Sequence, residues 1–141
     1  MTDTILVAVN DSPAAFHAAF VAVGLAHRLE SRLRAVSVVT PGSVADGIAD
    51  LSSSGELAAR AALRHVDVLG RTAAIEVDVI VRFGTVAAQI LDEALACDAT
   101  LIVMARVGRP GHILPHLGST TQHVLEFSTV PVLVVPAPRP R

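Results

Sequence analysis

The sequence predicts a single α/β domain, built as an open sheet of parallel strands with helices on both faces. Five short runs of Val, Leu and Ile alternate with segments whose apolar residues recur at helical spacing. Apolar residues make up 52% of the 141 residues, but aromatic residues only 3%. A core of small branched side chains suits closely layered helices and parallel strands. The alternation of strands and helices then implies right-handed βαβ crossovers.

The first strand and the first helix have clear boundaries. Residues 5–9, ILVAV, are typical of a buried strand. Ser12 followed by Pro13 predicts a helix start, with the serine as N-cap and the proline in the first turn. Helical spacing predicts a core-facing stripe made of Phe16, Ala19, Phe20, Val23 and Ala26.

The second strand and the second helix flank a segment without a clear period. Residues 33–39 predict the strand, and residues 41–52 the irregular connection. Ser53 and Glu56 have capping-box spacing and predict the start of the helix, which we expect Gly70 to end.

The third strand–helix unit is predicted from weaker signals. Alternation over residues 74–81 predicts a strand, and residues 82–84 a turn. We expect Asp92, Glu93 and Asp98 to be solvated charges rather than a general acid/base pair. The third helix is marked by Ile90, Leu91, Ala94 and Leu95.

The last unit repeats the pattern. Residues 101–104 predict the fourth strand and residues 130–135 the fifth. Ser119 and Gln122 have capping-box spacing, so we expect the fourth helix to begin near Ser119. Residues 137–141 are rich in Pro and Arg and predict a flexible tail.

The loop after the fourth strand carries the strongest functional signal. It contains Gly108, Gly111 and Gly118, and no acidic residue occurs between Ala99 and Leu125. A strand, a glycine loop without negative charge and a helix N-terminus together form an anion site from backbone N–H groups. This pattern predicts a phosphate-bearing small molecule. The alternative is that these are ordinary turn glycines, with a plain helix cap behind them.

Several function classes are excluded or disfavoured by composition. The chain has no lysine, which excludes a Walker A loop and Schiff-base chemistry. The net charge of −2 and the scarcity of aromatic residues argue against nucleic-acid binding. A dinucleotide-binding Rossmann fold is disfavoured because the first strand is followed by Asn10 and Asp11 and not by a glycine fingerprint. A phosphoacceptor receiver domain is disfavoured because its acidic pair and its lysine are missing.

Metal sites, disulfides and membrane spans are likewise not expected. Cys97 is the only cysteine, so no intrachain disulfide can form. His112 and His116 are four residues apart, but Pro115 argues against a helix that presents both, and no acidic neighbour completes a metal site. The chain opens without a signal-peptide pattern and has no apolar stretch of membrane-spanning length, which predicts a cytoplasmic protein without membrane contact.

The sequence resembles the universal stress proteins over residues 4–136. The similar stretches are ILVAVNDSPAAFHAA, VRFGTVAAQILDEA, CDATLIVMA, GRPGHILPHLGST and VPVLVV, in the family's order and spacing. The resemblance implies strand order 3-2-1-4-5, one domain over residues 1–136, and dimerisation through the fifth strand.

The same resemblance implies an adenine-nucleotide site between the loops after strands one and four. Nucleotide-binding members carry Gly, two residues, Gly, nine residues, then Gly and Ser or Thr. Here Ala105 stands at the first glycine, Gly108 and Gly118 fit the others, and Asn10 replaces the family's usual acid. ATP, with Mg as an accompanying ion, is the expected ligand. The expected binding residues are Val9, Asn10, Val38, Met104, Ala105, Arg106, Gly108, Arg109, Gly118, Ser119 and Thr120.

The resemblance leaves three hypotheses. The first is a cytoplasmic stress-response protein that binds an adenine nucleotide and acts as a dimeric sensor or regulator, not as a dedicated enzyme. The second is a dimeric interaction protein of the same fold that has lost the nucleotide because of Ala105 and Asn10. The third is a slow ATP hydrolase.

Overall fold

The computed structural model describes residues 2–41, 50–106 and 117–138 of the protein. Five parallel strands form one sheet in the order β3-β2-β1-β4-β5, which confirms the predicted fold class and strand order. The elements in chain order are β1 (Thr4–Ala8), α1 (Pro13–Leu29), β2 (Arg32–Val39), α2 (Asp50–Thr72), β3 (Val77–Phe83), α3 (Val86–Ala96), β4 (Leu101–Ala105), α4 (Ser119–Phe127) and β5 (Val132–Val135).

The helices form a layer on each face of the sheet. One apolar cluster joins α1 and α2 to the sheet and includes Val7, Leu33 and Val103. A second cluster joins α3 and α4 to the opposite face and includes Leu6 and Ile102. Adjacent residues of β1 thus serve opposite cores, as the pleat of a strand buried on both faces requires.

Helix α1 packs on the sheet through alanines. The predicted cap is confirmed: Ser12 precedes the helix and its Oγ accepts a hydrogen bond from the Ala15 N–H at 3.2 Å. The prediction that Phe20 faces the core is wrong, because its side chain is 64% exposed. Small side chains bring the helix close to the sheet and leave a large ring no place in the interface. The buried face consists of Ala15, Ala18, Ala19, Ala22, Val23 and Ala26.

Helix α2 extends beyond both predicted ends. It already includes Asp50, so Ser53 lies inside the helix and the predicted capping box is wrong. The helix also continues past Gly70. This glycine allows a close approach: a Cβ there would lie 2.5 Å from Val77 Cγ2 and 2.9 Å from the Ile75 carbonyl oxygen. The glycine is required by packing and not by helix termination.

The third strand begins three residues later than predicted. The longer α2 is followed by a turn in which Ala74 has a φ of 58°, and β3 then runs over Val77–Phe83. The predicted turn at 82–84 holds only at Gly84, whose φ of 141° is readily adopted only by glycine.

Helix α3 buries a carboxylate that the sequence analysis assigned to solvent. Glu93 is 1% exposed, so that prediction is wrong. Its Oε2 accepts from Arg34 Nε at 2.6 Å and its Oε1 from Arg82 Nη1 at 2.8 Å. Arg82 Nε also donates to Gln89 Oε1 at 2.7 Å. Two strands and one helix are therefore joined by one buried charge cluster.

The fifth strand is shorter than predicted and covers Val132–Val135. It forms one edge of the sheet, with Leu133 37% exposed, and β3 forms the other edge. Among the helices of the described ranges, none is long and apolar enough to cross a membrane.

Candidate functional site

The loops after β1 and β4 meet at the point where the strand order reverses. β1 lies between β2 and β4, and Val7 is in register with Ala35 on one side and Val103 on the other. The same register, continued by two residues, brings Val9 beside Ala105. Ligands of open α/β sheets bind in the crevice beyond this point, at the carboxyl ends of the strands.

The β1 loop presents an oriented amide. Ser12 Oγ donates a hydrogen bond to Asn10 Oδ1 at 2.5 Å and accepts one from the Ala15 N–H at 3.2 Å. The oxygen of the Asn10 amide thus accepts one hydrogen bond within the loop, and its NH₂ group can donate to a ligand. Asn10 is exposed, so this donor can reach a ligand in the crevice.

Helix α4 begins without a side-chain cap. Its N-cap is Gly118, and Ser119 is the first helical residue, so the predicted capping box of Ser119 and Gln122 is wrong. The physical reason is a backbone tether: the Gly118 N–H donates to the Arg106 carbonyl at 2.9 Å. Gln122 Nε2 donates to the Leu117 carbonyl at 3.4 Å instead of returning to a cap.

The first turn of α4 therefore offers donors toward the crevice. An α-helix leaves its first N–H groups without intrahelical partners, here those of Ser119, Thr120 and Thr121. The positive end of the helix dipole lies at the same place. This arrangement favours an anionic group, and phosphate is the common one.

Thr121 is a site residue that the sequence analysis missed. Its Oγ1 donates to the Ala105 carbonyl at 2.9 Å, and the residue is 3% exposed. This bond holds the N-terminus of α4 against the end of β4. The sequence spacing could have indicated this role, because Thr121 and Val124 are three residues apart and share the buried face of the helix. A threonine on a buried face needs a hydrogen-bond partner.

The methyl group of Ala105 belongs to the core. The residue is 9% exposed and lies in the apolar cluster on the α1 face. The preceding Met104 is 4% exposed and packs into the cluster on the opposite face, where Val38 of β2 is half-buried. The substitution of the family's first glycine thus places its extra carbon among core residues.

The predicted residues in the described ranges lie at or just beyond the carboxyl ends of the strands. Val9 and Val38 lie at the carboxyl ends of β1 and β2, and the Val9 N–H donates to the Val36 carbonyl at 2.9 Å. Arg106 follows β4, is half-buried, and donates its N–H to the Val135 carbonyl at 2.9 Å.

Part of the predicted loop lies outside the described residues. This applies to Gly108, Gly111 and Arg109, and to the histidine pair His112 and His116. Within the residues that are described, no cluster of three His, Cys, Asp or Glu side chains could hold a metal ion.

Comparison with known proteins agrees with this fold. The profile of the universal stress protein family matches residues 1–136. The chain belongs to this family. No curated protein is similar enough in sequence to count as a match.

Solved structures of universal stress proteins share the fold. The universal stress protein UspA from Lactobacillus plantarum is 27% identical, with 94% of this chain and 97% of that chain covered and a TM-score of 0.84. A family member from Burkholderia pseudomallei is 26% identical, with 96% of each chain covered and a TM-score of 0.76. The Archaeoglobus fulgidus universal stress protein in complex with dAMP is 18% identical, with 96% and 98% covered and a TM-score of 0.73. This last likeness shows the fold alone.

Proposed function

We propose that this universal stress protein binds an adenine nucleotide, with ATP as the expected ligand, in the crevice between the β1 and β4 loops. The observation that carries the proposal is the start of α4, where the N–H groups of Ser119 and Thr120 have no partner within the helix and lie beside the end of β4. Backbone donors at a helix N-terminus are suited to phosphate oxygens. Arg106 and Arg109 are the candidate cations of the same loop.

Two structural neighbours support an adenine nucleotide as the ligand class. One universal stress protein of the same fold was solved in complex with cAMP and another in complex with dAMP. By the family resemblance, the backbone of Val38 would meet the adenine edge. Asn10, whose amide oxygen accepts from Ser12 Oγ, would contribute a neutral hydrogen bond where the family usually carries an acid.

The position of Ala105 favours binding over its loss. A methyl group that projected into the crevice would separate the backbone from a phosphate or ribose, but this one lies in the core. The competing proposal, a dimeric interaction protein without a nucleotide, rests on the same two departures from the family motif. Restoring both residues, with Ala105→Gly and Asn10→Asp, separates the proposals. A modest change in affinity supports a working pocket, whereas binding created from nothing supports the competitor.

The biological role proposed for this site is regulation rather than turnover. A cytoplasmic sensor would dimerise through β5 and change its dimer or partner affinity with the ligand, since a ligand shifts an equilibrium by its differential affinity. The described part of the site holds no nucleophile paired with an oriented base, so we propose no dedicated enzymatic activity. Slow ATP hydrolysis with Mg remains the third candidate, to be tested as metal-dependent phosphate release.

The sharpest test of the phosphate site removes one N–H from a helix that tolerates its loss. Ser119 is the first residue of α4, a position where proline is favoured, and Gly118 before it has a φ of −67° and a ψ of 156°, which a residue preceding proline readily adopts. Ser119→Pro therefore deletes the N–H and the hydroxyl without breaking the helix. Ser119→Ala is the matched control that deletes the hydroxyl alone.

The expected result is a difference between the two variants in calorimetric titrations with Mg-ATP. A hydrogen bond to a charged group is worth about 1.5–3 kcal/mol, so Ser119→Pro should weaken binding by about 10- to 100-fold beyond Ser119→Ala. Both variants should melt close to the unmodified protein. Equal affinities of the two variants would refute the role of this N–H group.

A further inference from the structure

Among the residues that the structure describes, no strand pairs with the outer side of β3, so this strand leaves an open edge on the sheet. It is the outermost strand in the order β3-β2-β1-β4-β5 and runs over Val77–Phe83. Val79 is 48% exposed and Phe83 is 55% exposed. An unpaired strand edge with exposed apolar side chains is a template for pairing with another chain.

The backbone of β3 determines which residues can form such a pair. The Gly84 N–H donates to the Val39 carbonyl of β2 at 3.0 Å. Backbone groups of successive residues point to opposite sides of a strand. Even-numbered residues therefore direct their N–H and C=O groups toward β2, and the odd-numbered residues Val77, Val79, Val81 and Phe83 direct theirs outward.

The side chains of β3 are arranged symmetrically about Ile80. Asp78 and Arg82 lie two residues to either side of it and on the same face, while Val79 and Val81 lie on the other face. Reversing the strand about Ile80 thus exchanges an acid with a base and a valine with a valine.

Asp78 and the remaining N–H donors of Arg82 can meet charges of another chain. Among the ion pairs of the described residues, none includes Asp78. Its register neighbour on β2, Arg34, directs Nε to Glu93. Arg82 uses Nε and Nη1 for Gln89 and Glu93, and a guanidinium has five N–H donors in all.

We propose that β3 pairs with β3 of a second copy of this chain, antiparallel and about a twofold axis at Ile80. Asp78 then faces Arg82 of the second copy, and Val79 exchanges backbone hydrogen bonds with Val81 of the second copy. Charges on an edge strand ordinarily prevent such pairing, but here opposite charges meet. The surface is distinct from the β5 edge, and use of both edges would generate an open assembly.

The charges favour the axis at Ile80 over an axis at Val79. The outward N–H and C=O groups belong to odd-numbered residues, so odd-numbered residues of one copy must lie opposite odd-numbered residues of the other. This occurs only when the twofold axis passes through a residue and not between two residues. An axis at Val79 would set Asp78 opposite Ile80 of the second copy, an unpaired carboxylate against an apolar side chain. The axis at Ile80 instead sets each carboxylate opposite an arginine and each apolar side chain opposite an apolar one.

Single cysteines test the register directly. In a Cys97→Ser background, Ile80→Cys places two thiols directly across the axis, at a strand-pair spacing that a disulfide bridges. Val79→Cys is the matched control, since its two copies lie on a diagonal about 7–8 Å apart, beyond normal disulfide reach. We expect Ile80→Cys to form a disulfide dimer on mild oxidation and Val79→Cys to remain mostly monomeric on a non-reducing gel. Absence of the Ile80→Cys dimer, or equal yields from both variants, would overturn the proposal.

Charge reversal supplies a second test. Asp78→Arg sets two like charges opposite each other and should reduce the cross-linking of Ile80→Cys at least tenfold, with Asp78→Asn as a milder change in the same direction. Asp3→Arg makes the same charge change beside the central strand β1 and should leave cross-linking unaltered. Circular dichroism verifies that each variant is folded. Cross-linking that persists in folded Asp78→Arg and Asp78→Asn would overturn the proposed contact. Leu133→Cys in the same background reports on the β5 edge separately.

Discussion

Replacing Glu93 with glutamine should destabilise the fold more than any neighbouring charge change. The carboxylate is 1% exposed and accepts bonds of 2.6 and 2.8 Å from Arg34 and Arg82. Each hydrogen bond to a charged group is worth about 1.5–3 kcal/mol, and glutamine keeps one acceptor but turns an NH₂ donor toward the other arginine. The arginine side chains are 28% and 25% exposed, so water replaces part of the loss. We therefore expect the free energy of unfolding to fall by about 2–3 kcal/mol.

The measurement is urea unfolding followed by circular dichroism, with Asp92→Asn as the control. Asp92 is the exposed neighbour of Glu93, so the same chemical change there should alter stability by no more than about 0.5 kcal/mol. The slope of the transition should be unchanged, because the unfolded surface is the same. For a domain of this size the Glu93→Gln melting temperature should fall by about 6–12 °C. Equal midpoints for the two variants would refute the assignment of the charge cluster as a stabilising contact.

Glycine substitutions and thiol reactivity supply two further predictions. Gly70→Ala should destabilise the protein by about 1–3 kcal/mol, because its Cβ would lie 2.5 Å from Val77 Cγ2. Gly24→Ala should instead stabilise the protein by about 0.5–1 kcal/mol, because its Cβ would meet nothing within 4 Å. Equal melting temperatures of the two variants would contradict both expectations. Burial, and secondarily the charge of Glu93, raises the pKa of the Cys97 thiol, so iodoacetamide should react more slowly with the folded than with the urea-unfolded protein. Equal alkylation rates of the folded and unfolded protein would contradict the raised pKa. Because the pKa of this thiol is higher in the folded than in the unfolded protein, its contribution to stability is present below the unfolded pKa and is lost as pH rises through the folded pKa.

The architecture was predictable because strand and helix signals agreed. Buried strand runs and the Ser12–Pro13 helix start depend on local chemistry, and the structure confirms both. Phe20 was mispredicted because apolar spacing does not tell which residues are small enough for a close helix–sheet contact. Gly70 resembled a helix terminator, yet its role depends on Val77, which follows in the next strand.

The charge cluster and the helix cap could not be predicted from local pattern. Glu93 is buried only because the strand order brings Arg34 and Arg82 of adjacent strands beneath α3. Arg34 and Glu93 are 59 residues apart in sequence. At α4, Ser119 does not cap the helix as predicted, because the Gly118 N–H donates to the Arg106 carbonyl just after β4 and makes Gly118 the N-cap. Both errors come from tertiary contacts that override a local signal.

The crevice proposed for the nucleotide was predicted from the sequence, but the orientation of the side chains around it was not. The glycine spacing and the reversal of strand order predicted the crevice. The orientation of the Asn10 amide depends on Ser12, and the placement of the Ala105 methyl depends on which face of β4 it occupies. Such details follow from side-chain geometry.

Nucleotide binding is measured by titrating the nucleotide-free protein with Mg-ATP in a calorimeter, with ADP, AMP and cAMP in parallel. We predict saturable binding at one site per chain, with affinity that falls in Ser119→Pro. The absence of measurable heat with all four nucleotides, in protein that mass analysis shows to carry no bound small molecule, would contradict nucleotide binding and favour the interaction protein.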